Sequence, residues 1–470
     1  MSRHVQVDVL VIGAGGAGIA AAITAARGGA DVAVIDASTT VGGTARTAGG
    51  GTCMAGTQRQ RELGIEDDPD LALHDWVAMG GPTADVDWAA RYLRASSGEL
   101  YAWLALLGVR WGDVRLNEGN TVPRWHAPIG GGRAVMEGLE RAARAEDRVR
   151  WHLGVRVDAL LREGGRVVGV LAERTSKAFE LRASSVLVAT GGFNNAARKV
   201  REQLPDVPQV LLGGGRGARG LGHDLLAAVD ADFVNLDAVW MYPYGITDHL
   251  EPGTGRGLAV RGIDGDIWVN REGERFHDES LRGGATGTPA LLAQPGATAW
   301  SIIDRRLADE LIVADPRYRH GDVADREAIE QLLCTSPDIH QAADLRTLAA
   351  MIGVDEVNLG REVDEQNAAR RRGDAYDGFG RPLAELRPLD EPPYLALRFL
   401  PLARKNLGGV RTDRQGQVLD REGRPVSGLF AAGEVAGMAG GSINGRGALE
   451  GTMFGPSIFS GRVAAEAMLA

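Results

Sequence analysis

The stretch VDVLVIGAGGAGIAAAITAARGGADVAVID, residues 7–36, constrains the fold more than any other part of the chain. Residues 7–12 are β-prone and, apart from Asp8, apolar, as a buried strand requires. Gly13, Gly15, Gly16, Ala17 and Gly18 follow without a gap, and an alanine-rich helix then runs to about Ala26. A second apolar run, residues 32–35, ends on Asp36 and Ala37. Strand, glycine turn, helix, strand and acid together form the dinucleotide-binding fingerprint in its required context. Gly13 permits the tight turn, Gly15 lets a pyrophosphate approach the backbone, and Gly18 lets helix and sheet pack closely. The helix start offers free N–H groups and a positive dipole end to the phosphates. Asp36 is suited to both ribose hydroxyls and would repel a 2′-phosphate, which argues against NADP.

With 470 residues the chain has room for two or three domains. A net charge of −10 argues against a nucleic-acid partner. Cys53 and Cys334 are the only cysteines and stand far apart, so neither a disulfide framework nor a zinc set is expected. No metal site is expected. The start MSRHVQVDV has no signal-peptide pattern, and the one long apolar run is the dinucleotide segment itself. A soluble, cytoplasmic chain with no membrane span is expected.

Residues 41–51, VGGTARTAGGG, are too glycine-rich for a helix or strand. A loop there lets backbone approach a flat ligand, with Thr44 and Arg46 as donors. Residues 85–108 predict one long helix with Asp85 near its start. Residues 118–132 predict a loop, in which Arg124, Trp125 and His126 are candidates to face a ligand. A helix over 133–145 precedes strands at 149–157, 166–173, 179–182 and 185–189, the last running into Thr190-Gly191-Gly192. Gly215 to Gly220 forms a second GxGxxG, but the strand before it is short and follows Pro208, so a helix-entry turn is preferred to a second nucleotide site. Arg275 to Arg282 crowds two arginines, a histidine and two acids together, and its plainest reading is a salt-linked surface turn. Arg370, Arg371 and Arg372 read as a solvated run. Residues 418–428 predict a hairpin, residues 429–434 a strand ending in Gly433 and Glu434, and residues 457–468 a closing helix. A first sheet that the last residues complete implies a discontinuous domain with an insertion.

Seven signposts then carry a resemblance: GAGGAG at 13–18, VGGTARTAGGG at 41–51, HAPIGGG at 126–132, ATGG at 189–192, VNREGERFHDE at 269–279, NLGGVRTD at 406–413 and GLFAAGE at 428–434. Nearly end to end, the chain resembles the flavoproteins of the fumarate reductase, succinate dehydrogenase and 3-ketosteroid Δ1-dehydrogenase family. Its closing NGRGALEGTMFGPSIFSGR looks most like the soluble, tricarballylate-dehydrogenase-like members. The resemblance implies an α/β fold: a discontinuous Rossmann-like FAD-binding domain, residues 1–239 and 399–470, with an inserted α+β capping domain, residues 240–398. FAD would lie against Gly13 to Gly18, Asp36, Ala37, Gly42, Gly43, Thr44, Gly49, Gly50, Gly51, Val157, Ala189, Thr190, Gly191, Gly433, Glu434, Ala448 and Leu449. Covalent relatives carry the flavin on a histidine before the glycine triplet. Here that neighbourhood reads Thr44-Ala45-Arg46, so non-covalent FAD is expected.

The same resemblance implies interconversion of C–C and C=C bonds α,β to a carbonyl or carboxylate, in either direction. The chemistry needs a hydride transfer at flavin N5, a proton moved at the neighbouring carbon, and cations or donors on the oxygen. Arg282 is nearest in sequence to the family's proton-delivering arginine, though one residue closer to its glutamate, and His277, Tyr242 and Tyr244 are alternatives. A family His-Pro corresponds to Tyr242-Pro243, a second histidine to Arg404 or Lys405, and the C-terminal arginine to Arg446. Losing two histidines while keeping cations suggests a cyclic ketone or keto acid. The alternatives are amine or amino-acid oxidation of the L-aspartate oxidase type and a non-enzymatic flavin electron carrier. The electron partner, whether oxygen, quinone or a redox protein, is not named by the sequence.

Overall fold

The computed structural model describes residues 5–320 and 323–470. Residues 1–4, part of the start read above for a signal peptide, lie outside these. The chain divides into two compact units. The first comprises residues up to Lys199, Gly214–Trp240 and Lys405–Ala470; the second comprises Val200–Gly213 and Met241–Arg404.

The first unit is built on five parallel strands in the order Pro425–Ala431, Lys177–Val188, Val5–Ile12, Val32–Asp36 and Val149–Leu153. Being parallel, they all end at one edge of the sheet, where such sheets bind ligands. Val9, Leu10, Val11 and Val32 to Ile35 are buried, the near-continuous apolar run expected of strands covered on both faces. The Gly16–Arg27 and Phe454–Leu469 helices pack together closely, because Gly461 lies against the Ala17 backbone with no room for a Cβ. Arg156–Glu163 and Arg166–Arg174 add an antiparallel flap, and Gln417–Leu419 pairs antiparallel with Pro425–Ala431.

Three local expectations change, the first being the strand expected at 149–157, which divides at Gly154 into Val149–Leu153 and Arg156–Glu163. The strands expected at 179–182 and 185–189 are one strand, Lys177–Val188. It pairs with Arg166–Arg174 on one side and Val5–Ile12 on the other, and this pairing carries it through Ser184 and Ser185 despite their low β-propensity. The glycine-rich segment 41–51 is not all loop, since Gly43–Thr47 closes a short helix. The long helix expected from Asp85 is present as one helical run. Asp85 caps Val86–Ala95 by accepting the Trp88 N–H at 3.0 Å, and the run continues through a π-helical turn, Ser96–Ala102, into Trp103–Leu106.

The second unit surrounds one long strand, Tyr394–Asn406, with a mixed sheet ordered Ile267–Val269, Ala299–Ile303, Tyr394–Asn406, Val239–Thr247, Gly257–Arg261 and Ile312–Val313. Leu211–Leu212 also pairs with the long strand, which is why Val200–Gly213 belongs to this unit. Helices Arg326–Thr335, Leu345–Ile352 and Glu356–Arg372 carry much of the charge of residues 301–375, each capped by an aspartate. Among the described residues no helix is long and apolar enough to cross a membrane.

Candidate flavin and substrate sites

The first unit sorts its glycines into two kinds. Gly13, with φ +110°, has no room for a Cβ beside the Ala189 carbonyl, and Gly18 has none beside the Gly13 carbonyl. Gly16 lies against Ile458, Gly42 against Arg46, Gly50 against Gly132, Gly51 against the Trp125 ring and Gly433 against Ala17. These seven serve packing. A Cβ at Gly15, Gly49 or Gly191 would meet nothing within 4 Å, and Gly43 approaches only Gly15. The open positions follow the C-terminal ends of the parallel strands, where a flat ligand with a diphosphate would need backbone access. Asp36 accepts from Ala14 N at 2.6 Å and Ser38 N at 2.7 Å, so its carboxylate also braces the glycine turn. Burial raises its pKa above the ordinary aspartate value, against these two bonds.

Behind the cradle lies a buried amide and carboxyl network that the sequence reading only half found. Glu434 accepts from Asn406 N at 3.0 Å and Asn194 Nδ2 at 3.3 Å. Asn406 Oδ1 accepts from Phe193 N at 2.9 Å and Asn194 Nδ2 at 2.8 Å. Gly192 is wedged against Glu434 and Asn406. Burial raises the Glu434 pKa. Among the described residues Asn194 Oδ1, Asn406 Nδ2 and Thr190 Oγ1 are buried without a hydrogen-bond partner, and such groups are costly unless a ligand or water completes them. Asn406 opens the NLGGVRTD motif and Asn194 stands two residues after the ATGG motif, so both were within reach of a sequence reading. Ala448 and Leu449 are buried. The Val157 side chain packs on the hydrophobic core, which leaves only its backbone for a ligand. Ala37 and Thr44 are exposed, and Thr44 lies against Gly215. The Gly215 to Gly220 segment is a turn leading into Leu221–Ala227, tied to the first unit by Asn195 N to Ala218 O and Gly220 N to Gly192 O. It is not a second nucleotide fingerprint, because the Leu211–Leu212 strand before it pairs in the second unit's sheet.

Four side chains of this unit that were expected to face a ligand have partners within the chain. Arg46 pairs with Glu137 and Glu140 at 3.5 and 3.4 Å. Arg124 is fully buried, paired with Asp67 at 2.8 Å and with Asp75, while Trp125–Pro128 is a strand. His126 is also fully buried. Its Nδ1–H donates to the Arg124 carbonyl at 2.8 Å and its Nε2 meets Thr57 Oγ1 at 2.7 Å, while burial pushes its pKa down to about 4. Arg446, expected to grip a carboxylate, makes a two-pronged ion pair with Asp237 at 3.1 and 2.7 Å.

The second unit holds the remaining candidates. Tyr242 and Tyr244, alternate residues of one strand, are buried with rings stacked at 5.0 Å, and the Arg261 guanidinium lies over both at 5.2 and 5.7 Å. Arg404 donates to the Gly213 carbonyl at 2.6 Å. Burial, together with the positive charges of Arg261 and Arg256, lowers its pKa, while the tyrosines act in the other direction. Among the described residues no carboxylate pairs with Arg404. Arg282 donates from Nη2 to Asp266 at 2.8 Å and from Nε to the Glu279 carbonyl at 2.9 Å. His277 Nε2 is held by the Leu281 carbonyl at 2.7 Å. The surface turn expected at 275–282 is in fact a buried network: Glu279 accepts from Arg275, Arg381 and Trp268 N, and Asp377 pairs with Arg275 at 2.9 Å. Arg370 is likewise buried rather than solvated, donating to the Arg387 and Gly265 carbonyls.

The FAD binding domain family matches residues 8–452. The chain belongs to this family of FAD-binding flavoproteins. It is 31% identical to a KsdD-like steroid dehydrogenase of Mycobacterium tuberculosis, over 97% of this chain and 94% of that protein. It is also 31% identical to a fumarate reductase (cytochrome) of Shewanella frigidimarina, over 98% of this chain and 77% of that one. The solved 3-ketosteroid-delta4-(5alpha)-dehydrogenase of Rhodococcus jostii RHA1 superposes with a TM-score of 0.77 at 26% identity, covering 100% of this chain and 98% of that one. The flavoprotein is therefore an FAD-dependent oxidoreductase of the family that acts on CH–CH bonds. The open glycine edge, the helix N-terminus and the three orphaned polar atoms fit the cofactor: Gly13 to Gly18 would hold its diphosphate, and Thr190, Asn194, Asn406 and Glu434 its polar chain.

Proposed function

We propose that this flavoprotein interconverts a C–C and a C=C bond next to the carbonyl of a cyclic ketone or keto acid, and that the second unit is its substrate-capping domain. The single observation that carries this reading is Arg404, a guanidinium in a buried setting with no carboxylate partner among the described residues, beside the phenols of Tyr242 and Tyr244. A cation left uncompensated by its own chain suits an oxygen that gains negative charge during reaction. FAD would supply the hydride acceptor or donor. Arg404 holds the substrate oxygen, and a tyrosine hydroxyl exchanges the proton at the α-carbon. Arg282 and His277 are less suited to that transfer, because each is anchored to neighbouring acceptors. Non-covalent FAD belongs to the same proposal, supported by the absence of histidine from residues 42–51.

The test is anaerobic flavin bleaching against a panel of cyclic ketones, keto acids, dicarboxylates and amino acids, with acid precipitation to show whether the flavin leaves the protein. Bleaching by saturated cyclic ketones or keto acids, with the unsaturated product released, supports the proposal. Bleaching by amino acids alone, with release of ammonia, overturns it in favour of amine oxidation.

A further inference from the structure

The second unit contains a cavity of about 330 Å³ that lies apart from the tyrosine and Arg404 cluster. Its floor is one face of the sheet. Trp300 and Arg398 are register partners on adjacent antiparallel strands, so their side chains stand side by side on that face. The opposite face carries Trp268, Ser301 and Phe399, with Trp268 edge-on to Phe399 at 5.6 Å and Ser301 donating to Asp266 at 2.7 Å. That second face holds the Arg282 network, so the cavity and Arg282 lie on opposite sides of one sheet.

Charge in the cavity is unbalanced. Arg398 Nη2 reaches Gln209 Oε1 at 3.3 Å and its Nε lies 3.6 Å from Asp338, but that Nε has no hydrogen-bond acceptor. Asp338 is partly engaged elsewhere, accepting from Thr247 N at 2.7 Å. Arg271, on the turn after Ile267–Val269, also lines the cavity and makes no ion pair or hydrogen bond among the described residues. Its guanidinium lies over Gly296, whose φ of +76° and missing side chain leave the space for it. Val354, just past the Leu345–Ile352 helix, is on the apolar rim. Arg271 and Arg398 are the charged residues lining the cavity, Asp338 reaches only Arg398 of the two, and the Trp300 ring offers a flat apolar wall.

We propose that this cavity is a second, non-catalytic binding site for a small organic anion: a carboxylate held between Arg271 and Arg398, with a planar ring body against Trp300. Guanidinium forks match carboxylate geometry, and the volume is at the lower end of the range for ligand pockets. The probe is 4-fluorobenzoate titrated into the FAD-loaded protein and followed by fluorine NMR, with inorganic phosphate as competitor. One saturable site is expected, weakened about tenfold or more by Arg271→Gln and by Arg398→Gln, and blocked by Val354→Trp, which fills the cavity without touching a charge. Arg271→Gln alters an exposed side chain with no ion pair or hydrogen bond among the described residues, so it keeps the measurement valid if Arg398→Gln fails to fold. No saturation up to about 10 mM overturns the proposal. So does binding that survives all three variants yet is lost in Arg404→Gln, since the probe would then be reading the substrate site. Phosphate displacing the probe as well as unlabelled benzoate does would also overturn it, because the site would then read charge without the ring.

Discussion

The flavin cradle rests on a histidine that has no polar partner, and acid should find it. His223 is 6% exposed, and neither ring nitrogen has a hydrogen-bond partner among the described residues. Phe193 meets its ring edge-on at 5.3 Å, and Phe233 stacks on it at 5.9 Å. Burial, helped by the charge of Lys199, pushes its pKa down from 6.5 to about 4. At about 1.4 kcal/mol per pH unit, protonating it in the folded state costs about 3 kcal/mol relative to the unfolded chain. Between those two values the unfolded chain binds the proton and the folded protein does not. Its contribution to stability is therefore complete above 6.5 and is lost as pH falls towards 4. His126 behaves the same way in its own pocket, whereas the raised Asp36 and Glu434 act in the opposite sense. Comparison with His223→Phe, which keeps an aromatic ring and removes the titration, cancels those other groups. Urea unfolding of both proteins from pH 7 to pH 4 should show the variant gaining about 3 kcal/mol on the wild type across that range. Flavin release should follow the same difference, because Phe193 N also anchors Asn406. Parallel pH profiles for the two proteins would refute the reasoning, since His223 would then titrate alike in both states.

Three further outcomes follow from the same geometry. Gly15→Ala, whose added Cβ meets nothing, should leave apoprotein stability within about 1 kcal/mol of wild type yet weaken FAD binding at least about tenfold by equilibrium dialysis, whereas Gly18→Ala, forced into the Gly13 carbonyl, should fail to give a folded apoprotein by circular dichroism. Arg124→Ala should cost about 3–5 kcal/mol in urea unfolding, because it leaves Asp67 and Asp75 buried without their cation. Arg404→Gln should leave the protein yellow but slow the substrate-dependent bleaching step about a hundredfold or more in stopped-flow measurements.

The legible part of this chain was the part whose chemistry is local. A glycine turn between two apolar strands needs its residues in sequence, so Gly13 to Gly18 and Asp36 could be read directly, and so could the aspartate cap at Asp85. What escaped was partner identity across the chain. Arg446 looked free until Asp237, 209 positions away in sequence, closed on it. Arg370 and the Arg275 to Glu279 cluster looked like surface charge because Asp377, Arg381 and the Gly265 carbonyl come from distant segments. His126 beside arginine and tryptophan looked like a ligand group, but Thr57 and the Arg124 carbonyl had already satisfied both of its nitrogens. The useful contrast is between these satisfied polar groups and the few left unsatisfied. Arg124, Arg275 and Arg446 find carboxylates across the chain, whereas Arg404 has none among the described residues, and Thr190, Asn194 and Asn406 each keep a buried atom without a hydrogen-bond partner there. The proposed cofactor and substrate roles rest on those unpaired groups, since a buried polar atom or cation without a partner is costly unless a ligand completes it.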